Sequence, residues 1–88
     1  MFNSITIKDV KNNIGEWCKT MRKSEKLTQE ELATELGLSR YTIVNLENGE
    51  NPTLETLLKA LHYFDKMNSL NQFISTKIED LDNSKSMY

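Results

Sequence analysis

The 88 residues carry 11 Lys and Arg against 13 Asp and Glu, which gives a formal charge of −2, and the chain has a single cysteine. This length corresponds to one domain, and one cysteine excludes an intramolecular disulfide framework. The longest apolar runs are two residues, far below the ~20 that cross a membrane and too short for the core of a signal peptide. We therefore expect a cytoplasmic protein with no membrane partner.

The charge is unevenly distributed along the chain. Residues 1–46 carry seven Lys and Arg against six Asp and Glu, whereas residues 47–88 carry four against seven. The formal charge thus falls from +1 to −3 between the halves. Because nucleic-acid-binding domains usually present a basic surface, any DNA-facing surface should belong to the first half, and the acidic half should face away or meet another partner.

A long first helix is predicted by apolar residues that recur every three or four positions, namely Ile7, Val10, Ile14, Trp17 and Met21. Thr6 with Asp9 indicates its start, and the charged stretch 22–26 indicates its end. Gly15 lies inside and weakens the helix by ~1 kcal/mol relative to Ala, unless a close neighbour needs the space. We expect Trp17 and the rest of this stripe to pack in the core.

Two short helices follow, each with a start signal and a stop signal. Thr28 and Glu31 form a capping-box pattern, which predicts a second helix over 29–36 that Gly37 ends. Ser39 is the next N-cap, and it predicts a third helix from residue 40 to about residue 48. The inward positions of the two helices are Leu32, Ala33, Leu36, Ile43 and Leu46, and the outward positions of the third are Arg40, Tyr41, Thr42 and Asn45.

Two further helices complete an all-α chain of five. Thr53 should cap the fourth helix, whose buried stripe is Leu54, Leu57, Leu58, Leu61 and Phe64. A fifth helix from about Asn68 carries Leu70, Phe73 and Ile74, with Ile78 as a further candidate. Residues 1–78 are then expected to form one helical domain, and the polar residues 79–88 a flexible C-terminal tail.

Helices two and three, joined by a tight turn containing glycine, match the helix-turn-helix arrangement. The stretch LTQEELATELGLSRYTIVNLENGENPTLETLLKAL, from Leu27 to Leu61, closely resembles the Cro and lambda-repressor (XRE-type) family of helix-turn-helix DNA-binding domains. Helix-one Arg22 fits as well, and the resemblance covers roughly residues 10–75. It implies that residues 1–78 form a helix-turn-helix DNA-binding domain with the five-helix lambda-repressor-like fold, and that this domain binds double-stranded DNA.

The resemblance implies roles at matching positions. Thr28 and Gln29 are expected to contact DNA at the start of helix two, where the helix N-terminus favours an anion. Gln29 matches a glutamine that bonds a DNA phosphate and supports the recognition helix. Arg40, Tyr41 and Asn45 match positions that reach base edges in the major groove. Phosphate or base contacts are expected from Ser39 and Thr42, and backbone contacts from Asn48 and Asn51.

Arg22 and Glu47 match a structural ion pair that holds the recognition helix, with a free Arg22–phosphate contact as the alternative. Glu50 departs from the family, because many relatives have a basic residue there. A carboxylate repels phosphate, so we expect modest affinity that a dimer or partner reinforces.

Other reactive residue types have ordinary explanations. Cys18 is interpreted as a small core or boundary residue rather than a redox switch, and His62 as a surface or helix-capping residue. No phosphate-binding loop, nucleophile–base pair or metal-ligand set is present in the sequence. We therefore expect neither an enzyme nor a cofactor or metal.

Three functions stay open. The first is a repressor that serves as the autoregulating, HipB-like antitoxin of a toxin protein, and the second is a phage repressor or restriction-modification controller. The third is a protein-interaction module of the same fold without DNA affinity, which the net charge and Glu50 favour. For the first two we predict a homodimer through Leu70, Phe73 and Ile74, because paired half-sites supply specificity.

Overall fold

The structure, a computed structural model, describes residues 4–86. Within this range it consists of five α-helices and has no strand, which confirms the all-α fold class. The helices are α1 (Ile7–Ser24), α2 (Gln29–Leu36), α3 (Arg40–Glu47), α4 (Leu54–Tyr63) and α5 (Met67–Ser86). No helix of this part of the chain is both long and apolar enough to cross a membrane.

Side chains just outside the helices define where the first four helices begin. The Thr6 hydroxyl accepts a hydrogen bond from the Asp9 N–H at 3.0 Å, and the Asp9 carboxylate accepts one from the Thr6 N–H at 3.0 Å. Thr28 and Glu31 repeat this capping box. N-cap hydroxyls also start α3 and α4, from Ser39 and Thr53 respectively. Each such bond satisfies an otherwise unpaired N–H, a contribution of ~1 kcal/mol.

The core is formed where the first four helices meet. Its buried apolar residues are Cys18, Met21, Leu32, Ala33, Ile43, Leu46, Ala60, Leu61 and Phe64. The inward positions predicted for α2 and α3 are confirmed: four of the five are buried, and Leu36 packs against the cluster from its edge. Leu70 of α5 also packs against this core.

The face that α1 turns to the core is only partly the predicted one: Met21 is buried and Ile14 packs against the core, but the other residues of the stripe are exposed. Trp17 is 40% exposed and Ile7 is 77% exposed, whereas Gly15, Cys18 and Arg22 are buried. A Cβ on Gly15 would overlap the Glu47 carbonyl oxygen, so the glycine lets α1 lie directly on the end of α3. This close approach selects the Gly15 side of α1, and the prediction that Trp17 packs in the core is wrong.

Two predictions about α4 and α5 are also corrected. Leu54 is 71% exposed, because it is the first residue of α4 and lies beyond the edge of the core. Helix α5 continues to Ser86, although we expected a polar tail from Glu79. Ile78 and Leu81 extend the apolar spacing of α5 and are compatible with a longer helix. Met87 and Tyr88 of the expected tail lie outside the described residues.

Helix α5 makes the molecule elongated. Residues 71–84 are all exposed. Helix α5 has 20 residues, and a helix of 20 residues is roughly 30 Å long. The radius of gyration is 15.7 Å, and the extents are 52 × 30 × 21 Å. A compact chain of this length has a radius of gyration of about 12 Å. The difference indicates that α5 projects from the four-helix core instead of covering it.

Candidate nucleic-acid interface

The turn between α2 and α3 sets the position of the recognition helix. Gly37 has a left-handed backbone with φ of 69°, and its N–H donates to the Ala33 and Thr34 carbonyls. The Leu38 N–H donates to the Ala33 carbonyl at 2.9 Å, which completes a helix-ending motif that favours glycine. Ala33 is buried, and its small side chain lets α3 pack closely on α2. The turn therefore presents α3 with its outer side uncovered.

The outer side of α3 carries the residues predicted to read DNA. Tyr41 is 74% exposed, Arg40 is exposed, and Asn45 is half-buried. Ser39 and Thr42, expected at phosphate or base, share a 2.9 Å hydrogen bond between their hydroxyls. Ser39 also accepts from the Thr42 N–H as the N-cap of α3. Hydrogen-bonding side chains thus line this side of α3 from its first turn.

Arg22 and Glu47 lie together beneath the recognition helix. Arg22 Nε donates to Glu47 Oε2 at 2.6 Å, and Nη2 donates to Glu47 Oε1 at 3.0 Å. A third donation, from Nη1 to the Leu27 carbonyl at 2.8 Å, fixes the guanidinium against the start of α2. Both residues are more than nine-tenths buried, and hydrogen bonding to Glu47 raises the pKa of Arg22. The predicted ion pair is therefore present, and its geometry is bidentate.

Gln29 connects the same pair to α2. Its side-chain Nε2 donates to Glu47 Oε1 at 3.1 Å, so the first residue of α2 is bonded to the last residue of α3. The Glu47 carboxylate thereby joins α1, α2 and α3. The family resemblance implied that Gln29 supports the recognition helix, but it did not identify Glu47 as the partner of Gln29. Spacing within one helix carries no information on a contact between residues 18 positions apart.

A polar groove opens between this cluster and the start of α3. Its volume is about 470 Å³, and Thr28, Gln29 and Arg40 of the predicted interface line it together with Arg22, Leu27 and Glu30. The start of α2 also lies there, with its helix-terminal N–H groups and positive dipole end. The structure therefore brings an expected phosphate-contacting segment and an expected base-contacting residue to one groove.

The loop after α3 is held by contacts that the sequence did not reveal. Gly49 has a φ of 71°, and a Cβ there would lie 2.6 Å from the Asn12 Oδ1 of α1. Asn51 has a φ of 46°, and its side-chain oxygen accepts a hydrogen bond from Lys11 Nζ at 2.5 Å. Both residues expected to contact the DNA backbone from this loop, Asn48 and Asn51, are exposed. The contact that sequence reasoning missed is the one to Lys11.

Cys18 and His62 match their ordinary interpretations. Cys18 is fully buried, and burial, with a smaller effect from Glu47, raises the pKa of its thiol to about 11. A protonated, buried thiol is unreactive, in agreement with a core role. His62 is exposed near the end of α4.

This fold and site define a helix-turn-helix domain, and the comparisons with known proteins agree. The helix-turn-helix family matches residues 19–66, more than half of the chain, which runs from within α1 to the loop before α5. The chain belongs to this family, and the resemblance seen in the sequence is confirmed. The chain is also 38% identical over 64 residues to an uncharacterized HTH-type transcriptional regulator from Methanocaldococcus jannaschii. The match covers 72% of this chain and 82% of that protein.

Proposed function

We propose that this chain is a sequence-specific DNA-binding transcriptional regulator that inserts α3 into the major groove of operator DNA. The observation that carries the proposal is the uncovered side of α3, held in place by the buried Arg22–Gln29–Glu47 cluster. A recognition helix must be rigid to discriminate bases, and the Glu47 carboxylate at the end of α3 is bonded by side chains of α1 and α2. The name of the archaeal relative, a transcriptional regulator, supports the same class of function.

The exposed side chains of α3 suit direct base readout. Arginine at position 40 can donate two hydrogen bonds to O6 and N7 of guanine, and Asn45 can pair in the same manner with adenine. Each good pair discriminates against the wrong base by ~1–3 kcal/mol. Tyr41 has a hydroxyl for a phosphate and a ring face for a thymine methyl group. We therefore assign sequence reading to these three residues on the outer side of α3, where Arg40 and Tyr41 are exposed and Asn45 is half-buried.

The sequence-independent contacts come from the two ends of the motif. Thr28 and Gln29 lie at the N-terminus of α2, where backbone N–H groups favour a phosphate, and Asn48 and Asn51 are exposed after α3. Because Gln29 bonds Glu47, a phosphate bound there would couple DNA contact to the position of α3. Ser39 and Thr42 flank the base-reading side chains and add hydroxyl groups to the same surface.

The regulator acts as a homodimer through α5. Phe73 is 60% exposed, Ile74 is also exposed, and Leu70 bridges from the core to this surface. An isolated helix is only marginally stable in water without packing of its apolar side. A second copy supplies that packing and spaces two recognition helices for half-sites ~34 Å apart. Dimer formation also offsets the affinity lost to the exposed carboxylate of Glu50.

As a repressor that controls its own operon, the protein fits the antitoxin of a toxin–antitoxin pair, with a toxin protein as partner. The acidic second half of the chain and the exposed apolar side of α5 support contact with a protein. The neighbouring reading frame tests this role. A kinase-like toxin supports it, whereas a restriction enzyme favours a restriction-modification controller and phage genes favour a phage repressor.

A protein-interaction module without DNA affinity is the second candidate. The net charge of −2 and the exposed Glu50 beside the recognition helix favour it. Binding of the full chain to random duplex DNA across a salt series separates the two functions. Phosphate contacts predict a steep decrease of affinity with salt, whereas affinity that stays immeasurable at low salt contradicts the DNA-binding proposal.

A further inference from the structure

We propose that the first half of α1 belongs to the DNA-contacting surface, with Lys11 and Lys8 binding the phosphate backbone beside the loop after α3. This inference rests on the proposed DNA-binding function and adds a second basic surface to it. The match to the helix-turn-helix family begins at residue 19 and leaves this half of α1 outside it. Its ligand class is the sugar–phosphate backbone of duplex DNA, without preference for base sequence.

The first observation is how closely α1 lies against the DNA-facing loop. A Cβ on Gly15 would lie 2.7 Å from the Leu46 carbonyl oxygen, and a Cβ on Gly49 would lie 3.1 Å from the Asn12 nitrogen. Because neither glycine has a Cβ, the backbone of α1 can approach the backbone of the end of α3 and of the following loop closely. The first half of α1 therefore continues the surface formed by the end of α3 and the loop that follows it.

The second observation is the hydrogen bond from Lys11 to Asn51. Lys11 Nζ lies 2.5 Å from Asn51 Oδ1, and Asn51 is one of the exposed loop residues assigned to the DNA backbone. An ammonium has three N–H groups, and Asn51 accepts one of them. The bond therefore holds a positive charge at the loop with further donors for a phosphate oxygen.

The third observation is the charge balance around Glu50. This exposed carboxylate lies one residue before Asn51 and repels phosphate. Lys8 is exposed one helical turn before Lys11, so the two lysines are neighbours on α1. Asp9 lies roughly 160° around the helix from Lys11, and its carboxylate is bonded to the Thr6 N–H. On the side of α1 that contacts the loop, the two positive charges of Lys8 and Lys11 thus exceed the single negative charge of Glu50.

A purely structural role for Lys11 is the competing explanation. Its ammonium is bonded to Asn51, four residues after the end of α3, and a cation close to a helix C-terminus is stabilising. Such a role would change the stability of the fold without changing the number of phosphates contacted. The salt dependence of DNA binding separates the two roles, because its slope counts the counterions released.

The test compares the full chain with Lys11→Gln, Lys8→Gln and Lys11→Arg on one duplex across a salt series. The slope of log K against log salt is negative, and each glutamine variant should reduce its magnitude by about 0.9 for each protomer bound. The ratio of the DNA affinity of the unchanged chain to that of Lys11→Gln should then decrease about 3.5-fold per protomer for each fourfold rise in salt concentration. Lys11→Arg should restore the slope, and Lys59→Gln, the same charge change on α4, should leave it unchanged.

The outcomes distinguish this inference from the proposed function. A steep slope in the unchanged chain, with the same slope in Lys11→Gln and Lys8→Gln, overturns the inference and leaves the DNA-binding function standing. No binding by the unchanged chain at low salt contradicts the function itself. A thermal melt of each variant confirms folding, and Lys8→Gln, at an exposed position, decides the question if Lys11→Gln does not fold.

Discussion

Arg22 on α1 and Glu47 at the end of α3 are joined by hydrogen bonds of 2.6 and 3.0 Å, and both side chains are buried. The pair connects the first helix to the recognition helix across 25 positions of sequence. Burial of two charges removes favourable hydration, and their attraction offsets this loss only when the geometry is good. Gln29 and the Leu27 carbonyl supply further hydrogen bonds, so the charges are well satisfied.

Removal of one partner of this pair should be severely destabilising. Glu47→Ala leaves the Arg22 guanidinium buried without its carboxylate, and we expect a loss of ~3–5 kcal/mol in the free energy of unfolding. Urea denaturation measures this loss. Glu50→Ala, three residues later and exposed, is the matched control and should change stability by less than ~0.5 kcal/mol. Equal effects of the two substitutions would contradict a structural role for the pair.

Gly15→Ala should destabilise the fold although alanine favours helices. The added Cβ would overlap the Glu47 carbonyl oxygen and lie 2.7 Å from that of Leu46. Overpacking of this kind costs ~1–3 kcal/mol, which exceeds the ~1 kcal/mol gained in helix propensity. Asn13→Ala, on the exposed side of α1, is the control and should not destabilise. A higher melting temperature for Gly15→Ala would show that α3 moves away without loss.

Base readout and phosphate contact should respond differently to substitution. Arg40→Ala should lower affinity for the preferred operator by ~1–3 kcal/mol and relax base preference at one position. Gln29→Ala should weaken binding to all sequences alike, and loss of its bond to Glu47 should reduce stability by ~1 kcal/mol. Titrations with operator and random duplexes measure both effects. Equal losses on every sequence for both variants would contradict the assigned roles.

The apolar side of α5 should control oligomeric state. Ile74→Glu places a charge on the exposed apolar stripe and should convert the predicted dimer to a monomer without unfolding the core, which residues 71–84 do not join. Gln72→Glu adds the same group roughly 160° away around the helix and should leave the dimer intact. Sedimentation at tens of micromolar measures the mass, and a monomeric unchanged chain would exclude this interface.

Cys18 should make stability decrease in alkaline solution. Its folded-state pKa is raised to about 11 by burial, whereas an unfolded chain has a thiol pKa of about 8.5. The unfolded state therefore loses its proton first, so the stabilising contribution is complete below about pH 8.5 and decreases as pH rises toward 11. The slope approaches ~1.4 kcal/mol per pH unit. Cys18→Ala should remove this pH dependence in urea denaturation, and an unchanged dependence would assign it to another group.

The relation between sequence and structure is closest at the helix boundaries. Thr6, Thr28, Ser39 and Thr53 bond backbone N–H groups three residues away, so every participant in these interactions is local. Gly37 ends α2 for an equally local reason, its left-handed backbone. Starts of four helices, the turn of the motif and the inward positions of α2 and α3 were therefore predictable from residues close together in the chain.

The Arg22–Glu47 pair was predictable only from the likeness of several linked positions to a known family. Neither residue by itself indicates a partner 25 positions away. The sequence did not predict two further hydrogen bonds, one between Gln29 and Glu47 and one between Lys11 and Asn51. Each of these bonds depends on how whole helices are placed. Trp17 shows the same dependence, since its spacing matched a buried stripe and its exposure followed from the packing of α1.

By itself, the sequence determined five helices, their order and the helix-turn-helix with its outward Arg40 and Tyr41, because caps, glycine turns and apolar spacing act over three or four residues. Only the tertiary structure decided which side of α1 is buried, which charges meet at Glu47 and how far α5 projects. For α1 and α3, the physical reason is close backbone approach at Gly15 and Gly49. Such contacts depend on interhelical distance, which no local pattern of side chains specifies.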